Sequence, residues 1–201
     1  MSLGVGDAGF NYGGVPVFAD LSFTVGPGEA VAVVGANGSG KSTLLRCLVG
    51  AEALDSGSVL LDGAEMDESS GAVRSAVASL LDDADYFPDL SVVEHLRLLA
   101  WLHGSSADVV AVLDEVGLTP VADQLPPTLS SGQRHRLGLA SCFVRPRSVL
   151  VLDEPEQRLD AAGRTWLRSR LLAEKAAGVA VVFASHDHEL VEAVACRTVT
   201  L

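Results

Sequence analysis

The sequence predicts an α/β fold, in which a mainly parallel sheet carries an N-terminal antiparallel β portion and an inserted α-helical subdomain. Three observations lead to this prediction. Short apolar runs alternate with helical patterns along most of the 201 residues, as in parallel sheets. The segment before Gly35 instead resembles a meander of strands and tight turns. Residues from about 84 to 146 show helical patterns without strands.

The first 81 residues contain strands, turns and one helix. Asn11-Tyr12-Gly13-Gly14 and Gly26-Pro27-Gly28-Glu29 are turn signals, and the alternation over Pro16–Val25 predicts a strand between them. The elements predicted after these are a buried strand at Ala30–Val34, a helix from Gly40 or Lys41 to Val49, a strand at Ser58–Leu61, a polar turn at Glu65–Gly71 and a strand at Val77–Leu81.

The inserted segment is predicted to hold three helices. Ser91 and Glu94 have the spacing of a capping box, which opens a helix to about Leu102. The other two are predicted at Ser106–Val116 and Ser131–Val144. The chain then returns to the sheet, with a strand at Ser148–Leu152, a helix at Asp160–Ala176, a strand at Val179–Ala184, a helix at Asp187–Ala195 and a strand at Thr198–Leu201. We therefore predict a single domain over 1–201, with an α/β core at 1–83 and 147–201.

The composition excludes several classes of protein. With 14 basic and 26 acidic residues the net charge is −12, the opposite sign from a free nucleic-acid binder. The longest apolar runs are too short to span a membrane, and residues 1–14 lack the pattern of a secretory signal. Cys47, Cys142 and Cys196 match no zinc or redox spacing, which indicates free thiols in a reducing compartment.

A phosphate-binding loop is predicted between the strand at Ala30–Val34 and the helix that follows. The run GANGSGKST fits the pattern G-x-x-x-x-G-K-[ST]. Its glycines let backbone amides approach phosphates, its lysine neutralises their charge, and its serine hydroxyl binds Mg²⁺. Of the two lysines in the chain, Lys41 and Lys175, the first occupies the required position. The predicted nucleotide-binding residues here are Gly35, Asn37, Gly38, Ser39, Gly40, Lys41, Ser42 and Thr43.

Two acids end the strand at Ser148–Leu152. Asp153 would hold Mg²⁺ through water, and Glu154 would orient and activate the attacking water. An apolar run followed by two acids is a weak signal alone, but it becomes strong downstream of a phosphate loop.

The run Leu129-Ser130-Ser131-Gly132-Gln133 resembles the L-S-G-G-Q signature of the nucleotide-binding subunits of ATP-binding cassette (ABC) transporters. The resemblance covers essentially the whole chain and implies a P-loop NTPase core. It implies that Ser130, Ser131, Gly132 and Gln133 cap the γ-phosphate of the ATP held by the opposite subunit. Two chains would then enclose two ATP molecules in an isologous dimer.

The same resemblance assigns roles to three further residues. Tyr12 would stack on adenine, although Phe10 competes for this role and Tyr12 could instead pack on the core. Asp160 matches the last residue of the dimer-contact loop. His186 matches the switch histidine that contacts the γ-phosphate, while a metal cluster over His186-Asp187-His188-Glu189 is the alternative.

The chain departs from the family pattern at several positions. Asp82 stands where the family usually has a glutamine, and it could ligate Mg²⁺ or change how the metal is sensed. Ser131 replaces the first glycine of the signature. Gln157-Arg158 replaces the usual Ser-Ala, so the dimer contact could be altered.

The resemblance implies a bacterial ATPase that uses ATP and Mg²⁺ to drive transport through a separate multi-span membrane permease. The chain would bind at the cytoplasmic face of the membrane through that permease, docked on the groove between core and helical subdomain. It would also pair with a second nucleotide-binding subunit, and no nucleic-acid partner is expected. The alternatives are a soluble ABC-type ATPase acting on ribosomes or DNA, and a weakly hydrolysing regulatory subunit.

Overall fold

A computed structural model describes residues 1–81 and 86–201. Within these residues the chain forms a four-stranded sheet of order β2-β1-β4-β5 and a five-stranded sheet of order β6-β7-β8-β3-β9. The strands are β1 Leu3–Tyr12, β2 Val15–Val25, β3 Ala30–Val34, β4 Ser56–Leu61, β5 Ala64–Glu65, β6 Val77–Leu80, β7 Val149–Asp153, β8 Ala180–Ala184 and β9 Arg197–Thr200. The helices are α1 Lys41–Leu48, α2 Gly71–Ala76, α3 Val92–Leu102, α4 Val109–Glu115, α5 Ser131–Phe143, α6 Ala161–Ala176 and α7 His188–Val194, with 3-10 turns at Thr119–Val121 and Pro126–Thr128.

The five-stranded sheet is parallel throughout. Its central strands β3, β7 and β8 are apolar and almost entirely buried, because elements cover both faces of the sheet. β3 lies beside β8, and β8 lies beside β7. The carboxyl ends of these three strands therefore meet at one edge, where α/β proteins commonly bind their ligands.

Two hydrophobic clusters cover the two faces of this sheet. Alternate residues of one strand enter different clusters: Val149 and Val151 face one side, and Leu150 and Leu152 face the other. The first side packs on α1 and on the antiparallel sheet, in which β1 pairs with both β2 and β4. The second side packs on the helices of the inserted segment and on α6 and α7.

The described residues from 86 to 146 contain helices and 3-10 turns but no strand. α3 begins with the predicted capping box, since the Glu94 carboxylate accepts a hydrogen bond of 2.8 Å from the backbone N–H of Ser91. Among the described residues, no helix is both long enough and apolar enough to cross a membrane.

Some predicted boundaries were wrong, and two short elements were not predicted. α4 begins at Val109 rather than Ser106, because the Asp108 carboxylate caps the helix by accepting from the N–H groups of Val110 and Ala111. α2 and the two-residue β5 were not predicted. α2 spans only six residues, which is too short for a helical hydrophobic period to be recognised.

Candidate functional site

The phosphate loop joins β3 to α1 at the carboxyl edge of the parallel sheet. Gly38 and Gly40 have φ of 79° and 99°, a backbone region that favours glycine. A Cβ atom on Gly40 would lie 2.3 Å from Cγ1 of Val17, so this turn also packs tightly against β2. Lys41 is 6% exposed, and its Nζ donates to the carbonyl oxygens of Gly35 at 3.1 Å and Ala36 at 3.0 Å.

A cavity of about 820 Å³ opens above this loop. Its lining combines many of the predicted site residues. They come from the hairpin of β1 and β2 (the first hairpin), the phosphate loop, the end of β7 and the end of β8. Gly35, Ser39 and Asp153 lie outside the lining, and a Cβ on Gly35 would approach Ser39 Oγ to 2.6 Å. The lining residues are Phe10, Tyr12, Val17, Asn37, Gly38, Gly40, Lys41, Ser42, Thr43, Glu154, Glu156, Gln157 and His186.

The predicted catalytic pair is adjacent in this cavity. His186 Nε2 lies 3.3 Å from Glu154 Oε1, and both side chains are partly exposed. The pair forms because β7 and β8 are neighbours, and the backbone N–H of Glu154 donates to the carbonyl oxygen of Ala184 at 2.9 Å. Glu154 has φ of 45°, which is unusual for a residue with a side chain and is typical of functional turns.

The aromatic residues of the first hairpin differ in exposure. Tyr12 is 78% exposed at the cavity rim, so it does not pack in the core. Phe10 is partly buried and stacks on Phe18, with ring centroids 6.0 Å apart. Of the two, Tyr12 therefore has the free ring face that a planar base would need.

Glu156 is a member of the cavity that the sequence analysis missed. Its side chain is buried, and its Oε1 accepts hydrogen bonds from Ser185 Oγ at 2.5 Å and from the backbone N–H of His186 at 3.1 Å. The available signal was a further acid, two residues after Glu154, in the run Asp-Glu-Pro-Glu.

The four signature residues do not line this cavity. Ser130 is the N-cap of α5, and it exchanges hydrogen bonds with Gln133 in a second capping box. The N-terminal half of α5 instead packs on the loop after Glu154, where His135 Nε2 lies 2.9 Å from the carbonyl oxygen of Pro155.

Asp160 lies at the N-terminus of α6. Its carboxylate accepts from the N–H of Gly163 at 2.9 Å and forms an ion pair of 2.8 Å with Arg136 of α5. This residue therefore connects α6 to the helix that carries the signature.

The predicted metal ligands Ser42, Asp82 and Asp153 come from three different segments of the chain. Asp82 lies outside the described residues. In the described part of the chain, no group of three or more His, Cys, Asp or Glu side chains is placed to hold a metal ion. Asp187 caps α7 by accepting from the N–H groups of Glu189 and Leu190, so its carboxylate already has a structural role.

Comparison with known proteins shows which family this chain belongs to. The model of the family described as ABC transporter matches residues 18–157. The chain belongs to the ABC transporter family. The cytochrome c biogenesis ATP-binding export protein CcmA of Xanthomonas campestris is 36% identical over 192 residues, which are 92% of this chain and 87% of that protein. An uncharacterised ABC transporter ATP-binding protein, YdbJ of Bacillus subtilis, is 35% identical over 94% of this chain, but the match spans only 62% of its length.

Solved structures of ABC proteins share the fold. An ATP-binding subunit of an ABC transporter superposes with a TM-score of 0.91 at 27% identity, covering 100% of this chain and 86% of the other. A dimeric bacterial ABC transporter cassette has a TM-score of 0.88 at 20% identity, covering 99% of this chain and 94% of the other, which establishes the fold alone. The predicted family, the P-loop NTPase fold and the function as the ATP-binding, ATP-hydrolysing subunit of an ABC transporter are confirmed.

Proposed function

We propose that the cavity at the carboxyl edge of the sheet binds Mg-ATP and hydrolyses it. The observation that carries this proposal is the convergence of Lys41, Glu154 and His186 on one cavity. Tyr12 would stack on the adenine ring from the rim. The backbone amides of the phosphate loop and the N-terminus of α1 would hold the phosphates.

The residues of the loop fit a phosphate chain. The Lys41 ammonium is buried against two neutral carbonyl oxygens, and a phosphate would provide the charge partner that these oxygens do not. Ser42 Oγ and the Asp153 carboxylate would hold Mg²⁺ together with phosphate oxygens. Mg²⁺ commonly binds through one or two protein groups plus substrate phosphates, which suits this sparse set of ligands.

Glu154 would act as the general base. A water held by its carboxylate attacks the γ-phosphorus, the new P–O bond forms, and the bond from that phosphorus to the bridging oxygen of ADP breaks. Glu154 takes the water proton and later releases it to solvent. His186, 3.3 Å from Glu154, would contact the γ-phosphate and fix the direction of this carboxylate.

The site would be completed by a second nucleotide-binding subunit. The signature residues lie outside the cavity of their own chain, which supports a role toward an ATP held by another subunit. Ser130, Ser131, Gly132 and Gln133 would then cap the γ-phosphate held by the partner, and Asp160 would end the loop that contacts it. ATP would favour the closed pair because it binds both subunits there.

A membrane permease would dock on a second cavity, of about 670 Å³, between the parallel sheet and the inserted helices. Val73, Leu80, Phe87 and Leu99 give this groove an apolar lining, and Phe87 is 47% exposed. The chain would thereby lie at the cytoplasmic face of the membrane. Its relatives include an export protein, CcmA, and the aliphatic sulfonates import protein SsuB of Cupriavidus necator, so the membrane subunit would set the substrate and direction.

Two pairs of variants test the site. Lys41→Met should abolish ATP binding, whereas Lys175→Met, which changes the other lysine, should bind ATP normally in a thermal-shift titration.

Glu154→Gln should retain ATP binding, but its rate of phosphate release should fall about 10²- to 10⁴-fold, the usual contribution of a general base. The control is Glu192→Gln, which changes an exposed acid on α7. A Glu154→Gln variant with full turnover would favour the regulatory-subunit alternative.

The partner is tested by purification from the native cell in mild detergent. The tagged chain should co-purify with a very hydrophobic, multi-span protein in stoichiometric amount. Phe87→Asp in the groove should remove that protein, while Leu125→Asp, an exposed apolar residue outside the groove, should retain it. Recovery of ribosomal or DNA-repair proteins, without a membrane protein, would instead support the soluble ATPase.

A further inference from the structure

Glu156 occupies an unusual position for an acidic residue. It follows Glu154 by two residues, lies between the catalytic cavity and the base of α7, and is only 9% exposed. Its Oε1 receives the hydroxyl proton of Ser185 at 2.5 Å and the backbone N–H of His186 at 3.1 Å. One carboxylate oxygen thus holds the loop that carries the switch histidine.

The loop itself leaves little freedom around this contact. Ser185 Oγ also accepts from the N–H of Asp187 at 2.9 Å, and Asp187 caps α7. On the other side, the N–H of Glu154 donates to the carbonyl oxygen of Ala184. Because these bonds lie on both sides of Glu154 and His186, the distance between the two side chains depends on Glu156 remaining in place.

The second oxygen of Glu156 contributes nothing to holding this loop. Oε2 is buried and makes no hydrogen bond within the described residues, although the side chain belongs to the cavity lining. A buried carboxylate oxygen without a partner lowers the stability of the fold. The acid is therefore poorly explained by stability, and its contacts to Ser185 and His186 are what it supplies.

We propose that Glu156 is a positioning residue for ATP hydrolysis, which holds His186 at hydrogen-bonding distance from Glu154. This inference rests on the catalytic roles of Glu154 and His186 proposed above. Without Glu156, the Ser185 hydroxyl and the His186 N–H lose their acceptor, and the loop moves to find another. The γ-phosphate and the general base would then lose their common alignment, while the contacts to adenine and to the other phosphates would remain.

The test compares Glu156→Met with Glu156→Gln in steady-state hydrolysis of Mg-ATP by the full chain. Met keeps the length of the side chain but removes the acceptor, and kcat should fall about 10- to 100-fold with KM for ATP unchanged, as for a misplacement near the reacting atoms. Gln keeps one acceptor oxygen and should restore most of kcat. Equal rates for Glu156→Met and the wild type would overturn the inference.

A double variant separates positioning from a general loss of stability. In His186→Ala the histidine is absent, so adding Glu156→Met should lower kcat no further. Additive losses would show that Glu156 does not act through His186. Glu174→Gln is the structural control: it removes a buried carboxylate elsewhere in the fold and should lower the melting temperature without changing kcat.

Ser185→Ala covers the case in which Glu156→Met does not fold. It removes one of the two hydrogen bonds to Oε1, and its kcat should also fall, again at constant KM. An unchanged kcat would overturn the inference.

Failure of the proposed function gives a different pattern. Glu154→Gln would then keep full turnover, whereas failure of the inference alone leaves Glu154→Gln inactive and Glu156→Met active.

Discussion

Gly40 shows how one residue serves both the fold and the site. Its φ of 99° directs the chain from the phosphate loop into α1, and its lack of a side chain leaves room for Val17. Gly38, two residues earlier, has φ of 79° but faces open space. The G-x-x-x-x-G-K pattern predicts the need for a positive φ at this position. The need for space beside Val17 arises from the packing of β2, which the pattern does not show.

Gly40→Ala should therefore cost more than a glycine replacement in an open turn. Gly63→Ala, at φ of 83° with no atom near the new Cβ, should cost about 1–2 kcal/mol in the free energy of unfolding. Gly40→Ala adds a contact of 2.3 Å with Val17 and should exceed that cost while weakening ATP binding. Urea unfolding and an ATP titration measure the two effects. Equal losses in the free energy of unfolding at the two positions would contradict this prediction, because they would mean that Val17 moves aside without cost.

The three cysteines should differ in reactivity. Burial raises the pKa of Cys142 to about 11, and burial with the nearby Glu52 and Asp55 carboxylates raises the pKa of Cys47 to about 11. Both thiols stay protonated at pH 8, and the protonated form is unreactive. Iodoacetamide should thus label exposed Cys196 alone in the native protein and all three thiols in urea, as counted by intact mass. Native labelling of Cys142 would reveal local opening of α5.

At the scale of elements, α6 is tied to the inserted helices by a charged cluster around Glu174. Its carboxylate is buried between Arg147, at 2.8 Å from Nε, and Arg170, at 2.9 Å from Nε. Arg170 also bonds Glu115 of α4 at 2.6 Å and lies over the ring of Phe143 at the end of α5. The cluster therefore joins α4, α5 and α6.

Removing the charge of Glu174 should destabilise the chain without affecting its chemistry. Glu174→Gln leaves two arginines without their shared carboxylate, and loss of one partner from a buried ion pair costs about 3–5 kcal/mol. Chemical denaturation should show this loss relative to the exposed control Glu192→Gln. A loss in the free energy of unfolding no larger than that of the control would contradict this prediction and would mean that water already screens the charges of the cluster.

At the scale of the whole molecule, the separation of the signature from the cavity is the main functional feature. Ser131 is exposed at the start of α5, and it lies outside the cavity that holds Lys41 and Glu154. Under the proposed function, one chain would present two incomplete halves of a nucleotide site on different parts of its surface. Two chains facing each other would complete both.

ATP should therefore convert the Glu154→Gln variant from monomer to dimer, as measured by light scattering, because bound ATP is not consumed. Ser131→Arg, added to that variant, should prevent the dimer while ATP still binds, because the bulky side chain blocks the approach of a partner's phosphate. Thr128→Arg, an exposed position three residues earlier, is the control and should still dimerise. A dimer that persists in Ser131→Arg would contradict this arrangement of subunits.

Much of the fold could be predicted from local sequence. The strands β3, β7 and β8 are short apolar runs, and Ser91 with Glu94 has a capping spacing that local hydrogen bonds explain. The phosphate loop is equally local, since the six residues from Gly35 to Gly40 form one turn between a strand and a helix. α2 was missed because it is shorter than two helical turns, so packing rather than periodicity defines it.

The candidate site also has features that the local sequence predicts and features that only the fold produces. Residue types and spacings alone determined the phosphate loop, the acids after β7, the signature and hence the family, because each motif is a continuous stretch whose chemistry depends on its own backbone. Only the tertiary structure decided that Glu154 meets His186 and that Glu156 holds the loop of His186. It also showed Tyr12 exposed while Phe10 stacks on Phe18. These contacts join residues that are distant in the chain, and the order of the strands in the sheet brings them together.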